Sequence, residues 1–183
     1  ENSIIKEWWD KGYNLSGLEY DDVDWIYVFS KYDKKYAQAF NYDSSFPSDS
    51  ISERWDKGYS ISKLCYGNDT WVVVFTKGID YHPGWSIRNK LDLTEMNKWI
   101  EDGKIITDLV FGDGRWAMTY GKHQQFSYQT IITATTFPSD IIKQKWDNGY
   151  DLSLCAYGDG QWVLAFSTKN KAAAINKDQI AEE

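Results

Sequence analysis

Cysteine, proline, methionine and histidine are all scarce in this chain of 183 residues, with 2, 3, 2 and 2 copies respectively. The two cysteines, Cys65 and Cys155, have neither the CxxC nor the Cys/His spacing of a metal or redox site. A core of the size this chain can build needs no disulfide, so both are read as small apolar core residues. The two histidines, His82 and His123, lie in separate loops, and neither G-x-S-x-G nor H-E-x-x-H occurs. Without a nucleophile beside a base or a carboxylate pair fixed by the pattern, no enzyme activity, metal or cofactor is expected. Long apolar runs are missing as well: nothing approaches the roughly 18 to 20 residues of a membrane helix, and no basic-then-apolar leader opens the chain. A cytoplasmic, membrane-free protein is expected. Positive charge is outweighed, 20 Lys and Arg against 27 Asp and Glu, for a net charge of −7. That balance argues against general binding to nucleic-acid phosphates or an anionic bilayer. The start at Glu1, without Met, reads as a processed product or an excised part of a longer protein.

Rings are what the chain has in excess, with 10 Trp, 13 Tyr and 8 Phe. Such a composition excludes disorder for the body of the chain. The rings recur with a period. Gly12, Gly58, Gly103 and Gly149 step by 46, 45 and 46 residues, and Trp25, Trp71, Trp116 and Trp162 keep the same steps, each 13 residues after its glycine. Four repeats follow, at 1–45, 46–91, 92–136 and 137–168, forming one domain with a polar tail at 169–183.

Each repeat opens with an amphipathic segment that its glycine ends, as expected at a helix C-terminus. Ser3, and Ser48 or Asp49 after Phe46-Pro47, are the expected helix caps. Two strands follow, at 15–20 and 25–30, 61–66 and 71–76, 105–111 and 116–120, and 152–157 and 162–167. Tight turns such as Gly112-Asp113-Gly114-Arg115 join the hairpins in the later repeats. Trp71, Val73 and Phe75 alternate with Val72, Val74 and Thr76, so this strand is expected to be buried on both faces. Third strands are read at 36–42 and 126–137, and 172–175 is a candidate closing strand.

The expected fold class is α+β: four repeats of about 46 residues, each a helix plus a small antiparallel β-meander. Propeller-like closure and an open sheet curving around the helices both remain compatible with the pattern.

Phe137-Pro138-Ser139, Lys143-Gln144-Lys145-Trp146, Gly149-Tyr150 and the strand-turn-strand at 152–167 resemble the repeat in the C-terminal extension of plant casein kinase I-like kinases. Phe46-Pro47-Ser48, Arg54-Trp55 and Gly58-Tyr59 match nearly as well. Similar repeats are associated with bacterial multidomain proteins, some carrying caspase-like proteases. The resemblance implies a non-catalytic accessory region, since the chain has no kinase Gly-rich loop, His-Arg-Asp or Asp-Phe-Gly.

The loops after the hairpins differ between repeats, and equivalent loops of a repeat protein gather on one end. Lys31, Tyr32, Tyr81, His82, Trp85, Lys122, His123, Gln124 and Gln125 are therefore the candidate ligand-binding residues, offering ring faces and amides to a peptide, sugar or nucleobase. The acidic cluster at 21–24 is read as turn chemistry, not an EF-hand loop. The four periodic tryptophans are read as core, and Trp8 and Trp85 as the first candidates for exposed rings. The reading is a non-catalytic protein- or peptide-binding or scaffolding module. Its alternative is a small-ligand protein that takes carbohydrate or nucleotide on aromatic loop residues.

Overall fold

Phe46 and Phe137 each precede a proline that turns the chain sharply into a helix. Ser48 N donates to Phe46 O (2.9 Å) across Pro47 at φ −84°, ψ 58°, and Ser139 N donates to Phe137 O (3.1 Å) across Pro138 at φ −90°, ψ 61°. These are inverse γ-turns, and they supply the helix entry that a side-chain cap was expected to make. Neither Ser48 nor Asp49 caps, and Ser3 lies inside its helix. The helix at Leu93–Glu101 has the expected device, with Asp92 accepting from Glu95 N at 2.9 Å.

The computed structural model describes residues 2–34, 36–79, 84–122 and 126–169. The chain divides into two units, residues 1–79 and 80–183. The first unit contains α1 (Asn2–Asp10), β1 (Asn14–Tyr20), β2 (Trp25–Ser30), β3 (Ala37–Asp43), α2 (Ser48–Asp56), β4 (Tyr59–Gly67) and β5 (Thr70–Lys77). The second contains β6 (Gly84–Arg88), α3 (Leu93–Glu101), β7 (Ile105–Gly112), β8 (Arg115–Gly121), β9 (Phe126–Ala134), α4 (Ser139–Asp147), β10 (Asp151–Gly158) and β11 (Gln161–Lys169). Four helices and four small antiparallel sheets result, an α+β arrangement. Among the described residues no helix is long and apolar enough to cross a membrane. Residues 172–175 lie outside the described ones.

The helices end as their glycines require. Gly149 takes φ +80°, its N–H reaches Trp146 O at 2.9 Å, and Tyr150 N reaches Lys145 O at 3.0 Å, the paired bonds of a Schellman motif. The later hairpins close on two residues with positive φ, Asn68 and Asp69, Asp113 and Gly114, Asp159 and Gly160, as type I′ turns demand.

The third strands go to a different sheet from the one their repeat builds. The sheets are β1-β2, β3-β5-β4, β6-β8-β7 and β9-β11-β10. A tight turn ties the first two strands of each later repeat together, while among the described residues the third strand does not pair with the second. It pairs instead with the free edge of the next hairpin, so that β3 lies along β5 and β9 along β11. Successive repeats interlock, and the meander of a single repeat does not form.

Two glutamines make that interlock specific. Gln38, on β3, accepts from Leu15 N (2.7 Å) and Trp9 Nε1 (3.0 Å) and donates to Leu15 O (3.0 Å). Gln129, on β9, repeats this on the N–H (2.8 Å) and C=O (3.0 Å) of Ile106. Each amide thus acts as a two-point clamp between the added strand and the first strand of the preceding hairpin, next to bulges at Ser16 and Thr107.

Within each unit the sheets pack face to face. In the first, Ile5, Leu15, Leu18, Cys65, Val72 and Val74 form the core; in the second, Met96, Ile106, Leu109, Trp116, Met118 and Val163 do. As its alternation implies, β5 is buried on both faces from Trp71 to Thr76. Trp71 and Trp116 are fully enclosed, whereas Trp25 and Trp162 are half-buried. Cys65 is buried, but Cys155 is exposed, contrary to the core reading: it pairs with Leu164 while Cys65 pairs with Val72, one register step apart, which in a strand is the opposite face.

Candidate binding surfaces

Of the loop residues read as a binding face, Tyr81, His82, His123, Gln124 and Gln125 lie outside the described residues. Lys31 and Tyr32 follow β2 in the first unit. Lys31 Nζ sits 5.8 Å from the centroid of the Tyr13 ring, and Tyr32, half exposed, meets Tyr36 edge-on at 6.1 Å. In the second unit Trp85, on β6, pairs with Thr119, and Lys122 follows the last residue of β8. These two are brought to one end of the third sheet.

Trp8 and Trp85 are both half-buried rather than exposed. Trp8 stacks on Phe29 at 5.4 Å and takes Tyr13 edge-on at 5.0 Å, because its position in α1 turns it onto the first hairpin. The exposed indoles belong to Trp146 and, less so, Trp55, in the last turns of α4 and α2. Trp99 of α3 is buried and stacks on Tyr120 at 3.7 Å; it stands four residues before its glycine where Trp55 and Trp146 stand three before theirs, and one residue is about 100° around a helix.

The most developed surface lies on the fourth sheet. Phe137 meets Trp162 edge-on at 4.9 Å, and Tyr157 lies tilted against the same indole at 4.9 Å. Trp162 packs in turn against Ile142, Leu164 and Phe166, all buried. The second sheet carries an equal trio: Phe46 edge-on to Trp71 at 5.2 Å and Tyr66 tilted at 4.9 Å. Their environments differ. Phe46 is 9% exposed and Trp71 0%, but Phe137 is 49% exposed and Tyr157 56%. The same packing unit is core in one sheet and surface in the other. Sequence reasoning missed this face because its residues are the repeat's own markers.

A second concave feature belongs to the first unit, an apolar cleft of about 250 Å³ whose aromatic walls are Trp25, Tyr27, Phe40 and Tyr42. Asn68 and Thr70 are its polar contributions. No charged side chain lines it, so it suits an apolar or ring-bearing guest better than an ion.

The acidic cluster is occupied by its own backbone. Asp21 Oδ1 accepts from Val23 N (3.0 Å) and Asp24 N (2.7 Å), and these bonds hold its carboxyl below the usual aspartate range. Among the described residues no three His, Cys, Asp or Glu side chains converge as a metal site would require.

A family model described as a domain of unknown function, DUF7477, matches the chain twice, over residues 2–70 and 64–182. No curated protein and no solved structure matches it.

Proposed function

The chain belongs to the DUF7477 family, and on that premise we propose that it is a non-catalytic module that binds a protein or peptide within a larger protein or complex. One observation carries this reading: Phe137 and Tyr157 stand exposed around half-buried Trp162, in a trio built like Phe46, Trp71 and Tyr66, of which Phe46 and Trp71 are buried. Large rings left uncovered in a rigid, packed arrangement are the anchors expected at a protein interface. The surface has the ring chemistry of a protein core, and the partner suited to it is a folded or extended polypeptide presenting small apolar groups. The resemblance of 137–167 to a non-catalytic accessory region supports the same reading.

The test is affinity capture from native extract with the wild-type chain and a Phe137→Ser/Tyr157→Ser double variant, followed by direct binding measurement with the purified partner. A partner bound by the wild type and weakened at least tenfold by the double variant supports the reading; equal binding by both sinks it.

The cleft beside Trp25 and Tyr27 favours a second reading, a small-ligand protein taking a sugar face or nucleobase between rings. A thermal-shift screen with sugars and nucleotides separates the two, because saturable stabilisation lost in Tyr27→Ala would place function in the cleft.

A further inference from the structure

One cross-strand pair of rings recurs beside the turn of every hairpin: Tyr20 with Trp25, Tyr66 with Trp71, Phe111 with Trp116 and Tyr157 with Trp162. Their centroids lie 4.9 to 5.1 Å apart and their planes are tilted by 48° to 56°. In each unit the pair of the earlier sheet is received by the later one. Tyr20 reaches over Gly67 of the second sheet, and Phe111 over Gly158 of the fourth, so closely that a Cβ on either glycine would overlap the ring-bearing side chain. Small side chains complete each notch. Cys65 and Val72 join the cluster that takes Tyr20 and Trp25, and Ala156 and Val163 the cluster that takes Phe111 and Trp116.

The pair of the fourth sheet lacks such a cover. Tyr157 is 56% exposed, whereas Tyr20, Tyr66 and Phe111 are half-buried. Two residues back on the same face Cys155 is exposed, while Leu18, Leu64 and Leu109 in the matching places are 1%, 1% and 4% exposed. A second copy of the chain is poorly made to supply the cover. Its Gly67 and Gly158 are already filled, and its first hairpin has Asp21 where they stand, with a carboxylate bonded to Val23 N and Asp24 N.

We infer that the rings of the fourth sheet receive a further antiparallel sheet of this same repeat kind, carried by another polypeptide. Its hairpin sets a glycine under Tyr157 and Val, Ala or Cys side chains against Trp162, as the second and fourth sheets do for Tyr20 and Phe111. The glycine gives the ring room, and the small apolar groups take it out of water; any larger residue in the notch overpacks it. This rests on the proposed function and names the partner of its ring face.

The probe is the full chain with a notch built into its first hairpin. Glu19→Ala, Asp21→Gly, Val23→Gly and Asp24→Gln give residues 19–24 the sequence of 156–161. Ile26 and Val28, in the places of Val72 and Val74, are 48% and 52% exposed beside it. Fluorescein maleimide on Cys155 labels the probe and blocks its own ring face. Titrated with wild-type chain in fluorescence-detected sedimentation, the probe should form a saturable one-to-one complex in which the wild-type Cys155 reacts about tenfold more slowly with Ellman's reagent. Phe137→Ser/Tyr157→Ser in the receiving chain, or restoring Asp21 in the probe, should each weaken the complex about tenfold or more.

No complex, equal affinity with Asp21 restored, or an unchanged Cys155 rate overturns the inference. So does slow Cys155 reaction in the free wild type: at all dilutions it means the chain covers its own rings, and if relieved on dilution it means a second copy does. Should the probe fail to fold, photo-crosslinking from Cys155 to the partner captured by the wild type decides. A crosslink in a glycine-notched hairpin of this repeat kind supports the inference, and a crosslink elsewhere, or none, overturns it. A partner lost in the double variant but built without such a repeat would sink this inference and leave the proposed function standing.

Discussion

Phe111 lies so close over Gly158 that a Cβ on the glycine would overlap the Cβ and Cγ of the ring-bearing side chain, and Tyr20 stands over Gly67 in the same way. The two contacts join β7 to β10 and β1 to β4, strands through which the paired sheets of each unit meet. Neither glycine has positive φ, so space and not backbone freedom requires it. Gly158→Ala and Gly67→Ala should each destabilise by about 1–3 kcal/mol through overpacking. Gly160→Ala, in open space at φ +73°, should show a smaller loss from backbone strain alone. Urea unfolding of the three variants gives the comparison, and an unshifted midpoint for Gly158→Ala would contradict the packing.

Gln129 is 1% exposed, and its amide satisfies both backbone groups of Ile106. Gln129→Ala leaves a buried N–H and C=O without partners and should cost about 2–4 kcal/mol. Gln129→Glu is the sharper test. Its carboxylate could still accept from Ile106 N but would face Ile106 O with a second oxygen, so the buried acid should titrate above its ordinary range. A carboxyl with raised folded pKa binds its proton more tightly when folded, so the variant should be most stable below the ordinary glutamate value and lose stability as pH rises toward the folded value. A denaturation midpoint for Gln129→Glu that does not fall with rising pH, relative to wild type, would rule out the clamp.

Much of this fold is legible in the sequence, because helix stops and turns are local chemistry. Gly149 and Gly12 end helices wherever they stand, and Asp113-Gly114 turns a hairpin in any sheet. The destination of the third strand is not local. Residues 37–43 read equally well as a partner for β2 or for β5, and only Gln38 marks the choice, through a clamp whose other half is 23 residues away. Exposure was illegible for the same reason. Phe46 and Phe137 sit in identical Phe-Pro-Ser contexts, yet one is core and the other surface, so the exposed ring face had no signature apart from the building signature. The loop reading singled out residues that differ between repeats, whereas the proposed ring face uses residues that do not.

The cysteines give an independent check on register. Cys155 is exposed and Cys65 is buried, so one thiol should react with Ellman's reagent in the native state and two in urea. Partial loss of water around Cys155 pushes its thiol up, so it is charged to a smaller extent than a free thiol at the same pH. Its rate should keep climbing with pH beyond the range where a free thiol levels off. Two fast thiols in the folded chain would place Cys65 on the wrong face.

Asp21 makes the first turn pH-sensitive. Its carboxylate accepts the Asp24 and Val23 amides, which lowers its folded pKa. The stabilisation is therefore present above the ordinary aspartate value and lost as pH falls through the depressed one. Amide exchange at Val23 and Asp24, corrected for the intrinsic pH dependence, should accelerate over that acid window in the wild type. In Asp21→Asn the neutral acceptor should give a weaker but pH-independent protection, and a shared acid transition in both proteins would assign it to another group.

The twin aromatic trios allow the stability role and the surface role of one motif to be separated. Trp71 is 0% exposed and Trp162 only half-buried, in otherwise equal settings with an edge-on Phe and a tilted Tyr. Trp71→Ala should cost about 3–5 kcal/mol, the range for removing a fully buried large ring, and Trp162→Ala about half as much. For the outermost rings the gap should widen: Phe46→Ala should cost a few kcal/mol, and Phe137→Ala, 49% exposed, about 1 kcal/mol or less. Equal losses at Phe46 and Phe137 in chemical unfolding would mean that Phe137 is held for stability. A small loss at Phe137 leaves recognition as the reason for a rigid, uncovered ring, because a surface ring that adds little to folding still offers its area to a partner.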